Sequence, residues 1–586
     1  MGRYLVVLCL VSICVVSSSA QTQISRHGEE PWTSGNEVGP YGGRLVIALR
    51  SEPKTLNPVT AIDSSSKVVI WRMMTDLLHI NRYSQRIEPA LAKSWESSTD
   101  GRRYTLRLRR GLRFSDGELC DADDVLFSFQ VYLDEKLQVP QRDLLIVGGK
   151  PVTVRKLDSQ TVLFELNQPY AAAERLFDGF AILPRHLLEK AYREGKLAQA
   201  WSLTTPPRQI AGLGPFRLKE YVPGQRLVLE RNPHYWKVDR AGNRLPYLDE
   251  VVFLFVASED AQVIRFQAGE TDVISRLSAE NFSVVAKQQQ KRGYTLHDLG
   301  PGLNYNFLFF NLNDLTAKNS PVIVRKQAWF RRAAFRQGVS AAIDREAIVR
   351  LVYQGRGTPL ASHVTPGNKL WVNPAIPPPA RSLSRARQLL QTAGFTWADD
   401  GTLTDASGQA VEFSILTSAS NAQRMQMATI IQDDLKQLGM RVQVVPLEFR
   451  ALLGRVLQTH EYEACLLALG GGDGDPNNEM NVWLSSGTTH LWNLGQSQPA
   501  TPWEAEIDRL MQQQLVTRNY QERKRLYDRV QQLVAENLPI LTLAGPNILV
   551  GAKNLLGNFR PAILDHHTLW NVEELFWRDK RPGTTK

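Results

Sequence analysis

The sequence predicts an α/β protein built from more than one domain, and three observations carry that prediction. From 411 to 470 the chain reads "VEFSILTS", "QMATIIQDDLKQLG", "MRVQVVPL", "LLGRVLQT" and "YEACLLALG", an alternation of strand and helix patterns. Such alternation builds a partly parallel sheet with helices on its faces. From 205 to 255 the texture differs: "GPFRLKEYVPGQRLVLERN" is a hairpin about "VPGQ", and "YLDEVVFLFV" is a buried strand. The chain has 586 residues, 43% hydrophobic and 22% charged, enough for about two to four domains with large cores.

In chain order, Met1 to Arg3 form a short basic start, and Tyr4 to Val16 are almost all apolar. Ser18 and Ala20 are the small residues before a cut after Ala20, so 1–20 reads as a signal peptide. The run falls short of the roughly 20 residues that span a membrane. Lipid attachment at Cys14 is disfavoured because Ile13 is bulky. The mature protein is therefore expected to be periplasmic or secreted. Residues 21–43 are polar and spotted with Gly and Pro, a flexible lead.

Leu45 to Leu49 form a strand, followed by a loop with Pro53 and Pro58. "SSSKVVIWRMMTDLLHI" has Val68, Trp71, Met74, Leu77 and Leu78 at helical spacing and Ser64 or Ser65 as cap. "KSWESS" and "RYTLRLR" are strands about the turn "TDGR", with Tyr104, Leu106 and Leu108 inward. "DADDVLFSFQVYL" is a helix capped by Asp121, with acidic residues where the dipole favours them. Phe127 and Phe129 cannot both face the core of one helix, so one of them is expected to line a subdomain contact. "QVIRFQAGETDVI" gives a short helix, a turn and a strand. From about 299 the pattern restarts with the strand "NYNFLFFNL". One long helix, "FRRAAFRQGVSAAIDREAIVRLVY", follows, then "SRARQLLQTAG" with Gly394 as its stop.

Several chemistries are excluded. Net charge is +10 and pI about 9.3, but the basic run at 102–110 alternates as a half-exposed strand, so no nucleic-acid partner is expected. After cleavage only Cys120 and Cys465 remain, read as buried free thiols rather than a disulfide framework. There is no P-loop, no Gly-x-Ser-x-Gly elbow and no His-Glu-x-x-His. "LGGGDGDPNNEM" (Leu469 to Met480) alternates Asp473, Asp475, Asn477 and Glu479 like the start of a calcium loop. Pro476 and Asn478 stand where that loop needs freedom and a glycine turn. Nothing selects a catalytic carboxylate pair. The expectation is no enzyme, no metal and no cofactor. The segment does follow a buried strand, and ligands bind at such strand ends in α/β sheets.

"GLRFSDGELCDADDVLFSFQ" (Gly111 to Gln130) closely resembles the signature of the family 5 extracellular solute-binding proteins, the peptide/nickel class of ABC-transporter receptors. "EPKTLNP", "PALAKSWESSTDGRRYTLRLRRGLRFSDG", "GLGPFRLKEYVPGQRLVLERNPHYW", "LPYLDEVVF", "FRQGVSAAIDREAIVRLVYQGRGTP" and "ARQLLQTAGF" are similar to that family's blocks, in its order, from about 44 to 577. The resemblance implies a two-lobed periplasmic-binding-protein fold of type II with a hinge and an extra subdomain. Lobe I would take 44–58, 205–298 and 545–586, the subdomain 59–204, and lobe II 299–544. It also implies a monomeric receptor that captures a peptide or other small solute and delivers it to an ABC permease. An oligosaccharide, a metal chelate or an exported hydrolase are the alternatives.

In peptide-binding relatives, an Asp four residues before the proline corresponding to Pro476 holds the ligand's ammonium group. Here that position is Gly472. Asp473 comes one place late, and Asp475 directly precedes the proline. Dipeptide-binding relatives also use an Arg after the strand matching "EFSILTS"; here Ser418 and Ser420 stand there, and Arg424 already lies on the next helix. Trp71, Tyr305 and Trp492 are candidate aromatic platforms. Asn304 and Tyr305 open the strand after the crossing into lobe II. Trp95 and Trp236 are assigned to the core.

Overall fold

The computed structural model describes residues 28–137, 139–316, 320–472 and 474–579. The expected leader at 1–20 lies outside the described residues. Two sheets carry the chain. Their strands are β1 (Arg44–Leu49), β2 (Phe216–Val222), β3 (Arg226–Arg231), β4 (Glu250–Phe255), β5 (Val273–Ile274) and β6 (Tyr294–Pro301), then β7 (Asn304–Phe310), β8 (Glu412–Ser418), β9 (Arg441–Leu447), β10 (Ala464–Gly470), β11 (Ile540–Thr542) and β12 (Ala544–Lys553).

The first sheet runs β2-β3-β4-β1-β5-β12-β6, and the second β9-β8-β10-β7-β11. In the second, β8 is parallel to β9 and β10, as the alternation predicts, and β7 closes antiparallel against β10. Its core includes Phe310, Phe330, Phe335 and Phe413, packed ring on ring. The chain crosses between the sheets twice, from β6 to β7 and from β11 to β12. These crossings form a two-strand hinge between two lobes.

A smaller four-stranded sheet joins 92–97, 103–108, 161–165 and 153–158, with Tyr104, Leu106 and Leu108 buried. The helix Ala122–Leu133 lies near it. Asp121 caps it and Asp124 bonds back to the Asp121 N–H, a full capping box. Phe127 and Phe129 are both buried, which corrects the expectation. Phe129 meets Phe164 and Phe180, while Phe127 meets Tyr192 of a second helix laid along the first. The helix is covered on two sides.

Three other expectations change. α1 (Ser64–Met73) is capped by Asp63 and ends before Met74, where the backbone turns extended, so Leu78 falls in a short strand instead. The long helix near 333–352 is two helices broken at Ile343 and Asp344. Asp344 accepts from Ala347 N–H at 2.7 Å and starts the second one. Residues 28–43, expected as flexible, lie along lobe I. Trp32–Thr33 pairs with Lys237–Val238, and Glu30 holds Lys93 and Arg110. Among the described residues no helix is long and apolar enough to cross a membrane.

Candidate functional site

Strand direction places the site. β6 leaves lobe I at its carboxyl end. β5 and β6 both pair antiparallel with β12, and β1 and β4 run parallel to β5. The carboxyl ends of β1, β4 and β5 therefore point toward lobe II. In lobe II the chain enters at the start of β7, so the carboxyl end of its antiparallel neighbour β10, and of β8 beside it, points back toward lobe I. The cleft lies between these two sets of ends, where α/β sheets bind ligands.

On the lobe I side a cavity of about 490 Å³ opens at the ends of β1 and β5. Ser51, Ser275 and Thr568 supply hydroxyls to it, and Lys67 on α1 lines it with no ion pair among the described residues. Its size suits a small-solute site.

The lobe II wall is the loop after β10. Gly472 has a left-handed φ of +56°, and a Cβ there would meet Asn478 Nδ2 at 2.9 Å. The position where the family resemblance implied an anchoring Asp is therefore filled from the side by Asn478. Asp473 lies outside the described residues. Asp475 is 3% exposed and caps the short helix Pro476–Glu479. Arg523 on α3 (Tyr520–Asn537; α2 is Ala422–Lys436) grips it through two bonds, Nη1 to Oδ2 at 2.9 Å and Nη2 to Oδ1 at 2.5 Å. Arg175 from the small-sheet region adds Nε to Oδ2 at 3.2 Å. Burial alone would raise the Asp475 pKa; Arg523 and then Arg175 outweigh it and hold the carboxyl below its usual range.

The Arg175 contact crosses between the lobes, and it has company. Ala171 N–H donates to Leu515 O at 2.7 Å, and Arg518 Nη1 donates to Ser98 O at 2.8 Å. Gln85 donates to Gly367 O at 2.8 Å and accepts from Lys369 N–H at 3.0 Å. The subdomain thus docks on lobe II along one edge of the cleft.

Beneath the loop, Glu479 accepts from Trp483 Nε1 at 2.9 Å and from Tyr527 OH at 2.8 Å, and burial pushes its pKa up. His363 sits against Tyr527 OH at 3.2 Å and is pushed down to about 3 by burial, so it is neutral at ordinary pH. With Asp475 and Glu479 engaged in this way, neither is turned toward a calcium ion.

The other sequence candidates divide. Asn304 is exposed at the cleft edge opposite Gly470. Ser418 is 1% exposed and shares a bond with Ser420. Trp71 is half-buried on α1. Tyr305 is fully buried against Phe307 and His363, and Trp492 is buried against His490 and Trp483. Both rings pack in the lobe II core, with no face free to stack on a solute. Arg424 lies in the first turn of α2, its Nε buried without a partner. Trp236 is buried, as assigned; Trp95 is half-buried, its N–H on Glu174. Both cysteines are buried and free, and burial raises each thiol pKa. Sequence reasoning missed Arg175, Arg523 and His363, whose partners lie tens to hundreds of residues away. It also missed Asp76, His79 and Asp178, whose ligand atoms lie within 4.8 Å of one another. Arg82 stands 3.5 Å from Asp178 and supplies positive charge there.

Comparison with known proteins agrees with this geometry. Residues 86–490 match the model of the bacterial extracellular solute-binding proteins, family 5. The chain is 27% identical over 541 residues to a probable ABC transporter-binding protein of Deinococcus radiodurans, covering 88% of this chain and 89% of that one. It is 28% identical over 552 residues to heme-binding protein A of Haemophilus influenzae, covering 91% of each. The structure of the oligopeptide-binding protein AppA of Bacillus subtilis with a nonapeptide is similar at a TM-score of 0.64 and 23% identity, over 92% of this chain and 100% of that one. The two lobes, the two-strand hinge and a match over most of the chain lead to one conclusion: this chain belongs to the family 5 extracellular solute-binding proteins.

Proposed function

We propose that the protein is an exported receptor that captures peptides between its lobes and delivers them to an ABC permease. The observation that carries this is the cavity at the ends of β1 and β5, facing lobe II across the hinge. It performs no chemistry: binding free energy favours the closed form, and the permease reads that form. A peptide suits the site because extended backbone can pair along strand ends without a dedicated charge at every residue. The nonapeptide held by AppA supports this class of solute.

The lobes are assigned as 44–58, 205–298 and 545–586 for the first, with subdomain 59–204, and 299–544 for the second. The lip over the solute is the loop with Gly472 and Asp473, and Asn304 stands beside it. Ser418 with Ser420, and Trp71, complete the walls. The mature chain starts after Ala20 and acts as a monomer in the periplasm or outside the cell.

Mass spectrometry of whatever co-purifies, followed by calorimetry with that compound, tests the reading. Peptide pools are expected to bind and raise Tm. A thermal shift with sugars or haem but none with peptides would assign a different solute to the same fold.

A further inference from the structure

Behind the lobe I wall lies a second cavity, of about 70 Å³. His566 and Leu569 line both cavities, so the two abut. By this measure a single water needs roughly 10–15 Å³, so the inner cavity has room for a group of several atoms.

Its wall holds Arg72 of α1, 4% exposed. Arg72 Nη1 donates to the Leu569 carbonyl, and Nε is buried with no hydrogen-bond partner. Among the described residues no carboxylate comes within ion-pair distance of it. Burial pushes this guanidinium down to about 10, partly countered by Glu573 at longer range, so it stays charged at neutral pH. Trp236, 5% exposed, lines the same cavity, and its indole N–H is also buried and unpartnered. A third buried atom without a partner, His566 Nδ1, belongs to a residue held at a left-handed φ of +67°.

The other charges around the cavity are answered. Glu573 takes Lys237 at 2.6 Å. Asp76 accepts from Gly179 N–H at 3.2 Å and stands 3.5 Å from His79. Glu88 accepts from Asn81 at 3.0 Å, and Arg82 pairs with Asp178 at 3.5 Å. A buried charge without a partner is costly. Arg72 is the exception here, and it stands one wall behind the cleft.

We propose that this inner cavity binds a carboxylate group between the Arg72 guanidinium and the Trp236 indole N–H. A guanidinium pairs with a carboxylate through two parallel bonds, and the indole adds a third donor. The carboxylate belongs either to the captured solute or to a free small acid. The first source rests on the peptide reading; the second does not.

The first arm uses wild-type protein without peptide, heated in sodium acetate and in sodium chloride at equal ionic strength. Acetate is expected to raise Tm with concentration, as any ligand of the folded state does, and Arg72→Met is expected to abolish the rise. No acetate-specific rise in wild type overturns the proposal, and Arg72 is then a structural counter-charge to Glu573. Should Arg72→Met fail to fold, Trp236→Phe keeps an aromatic ring there and removes the N–H. Loss of one bond to a charged group should weaken acetate about 10-fold. Unchanged acetate affinity in Trp236→Phe removes the indole from the site and overturns the proposal as stated.

The second arm compares a bound peptide with its C-terminal amide. A roughly 10-fold or larger preference for the acid, with acetate competing, assigns the carboxylate to the solute. Equal affinity with the acetate shift intact assigns it to a free acid. Failure of the peptide reading appears separately, as no peptide binding while the acetate shift remains.

Discussion

On the lobe II side of the cleft, the acids of the lip already have partners: Asp475 is gripped by Arg523 and Arg175, and Glu479 by Trp483 and Tyr527. On the lobe I side, Lys67 and Arg72 face cavities with no ion pair among the described residues. A charge that is paired inside the protein cannot serve a solute without leaving its old partner buried and unpaired, which costs several kcal/mol. The difference therefore teaches a division of labour. The described part of the lobe II lip offers shape rather than free charge, while Lys67 and Arg72 of lobe I, like Arg424 of lobe II, have no ion pair among the described residues.

The largest effect should come from the grip on Asp475. Arg523→Met leaves a buried carboxylate with Arg175 as its one remaining described guanidinium partner, beside the Asn477 N–H, and should cost roughly 3–5 kcal/mol in denaturant unfolding. Arg175→Gln keeps the two-bond pair within lobe II and should cost about 1–2 kcal/mol. Its main effect should be on closure, read as a larger radius of gyration of the unliganded protein in X-ray scattering. Equal destabilisation by the two variants would break the comparison, because the lip would then depend on the subdomain for its shape.

The next effect separates the lobes by pH. His363 of lobe II is held at about 3 by burial, against about 6.5 for an unperturbed histidine. Below about pH 6.5 the unfolded chain takes a proton that the folded chain refuses. The contribution is whole above that pH and falls by up to about 1.4 kcal/mol per unit down to about pH 3. Asp475 shifts in the same direction from its own ordinary value: its carboxyl is depressed too, so its contribution is present above about pH 4 and is lost only as pH falls further. His566 and His567 in lobe I are also pushed down by burial. Urea unfolding at several pH values should therefore show a slope between pH 6.5 and 4 that His363→Gln reduces but does not abolish. An unchanged slope would place the acid sensitivity wholly in lobe I.

What was legible in the sequence was local. The alternation from 411 to 470 gave a partly parallel sheet, though not its strand order, because one face of each element must be apolar. Asp121 was legible as a cap because its acidic neighbours sit in the first turn. Asp344 carried the same kind of signal, a capping residue inside an apolar run, and the long-helix reading passed over it. The grip on Asp475 was not legible. Arg523 lies 48 residues away and Arg175 exactly 300 before it, and no periodicity links such positions. Tyr305 and Trp492 were chosen by residue type, and only the packing of Phe307, His363, His490 and Trp483 decides that they are enclosed.

The smallest effect concerns Gly472, where the sequence showed a gap and the structure shows what occupies it. Gly472→Ala places a Cβ at a left-handed φ, at a cost of roughly 1–2 kcal/mol, and pushes on Asn478. Solute affinity should stay within about 2-fold, since the lip keeps its Asp475 pair. Gly472→Asp is the sharper variant, because it places a carboxylate where the family resemblance implies one for an ammonium group. If charge recognition belongs to lobe I, this variant should pay the same strain and bind peptides no more tightly in calorimetry. A 10-fold gain, about 1.4 kcal/mol, would mean that the solute presents its ammonium at the lip, and that lobe II lacks only the side chain to hold it.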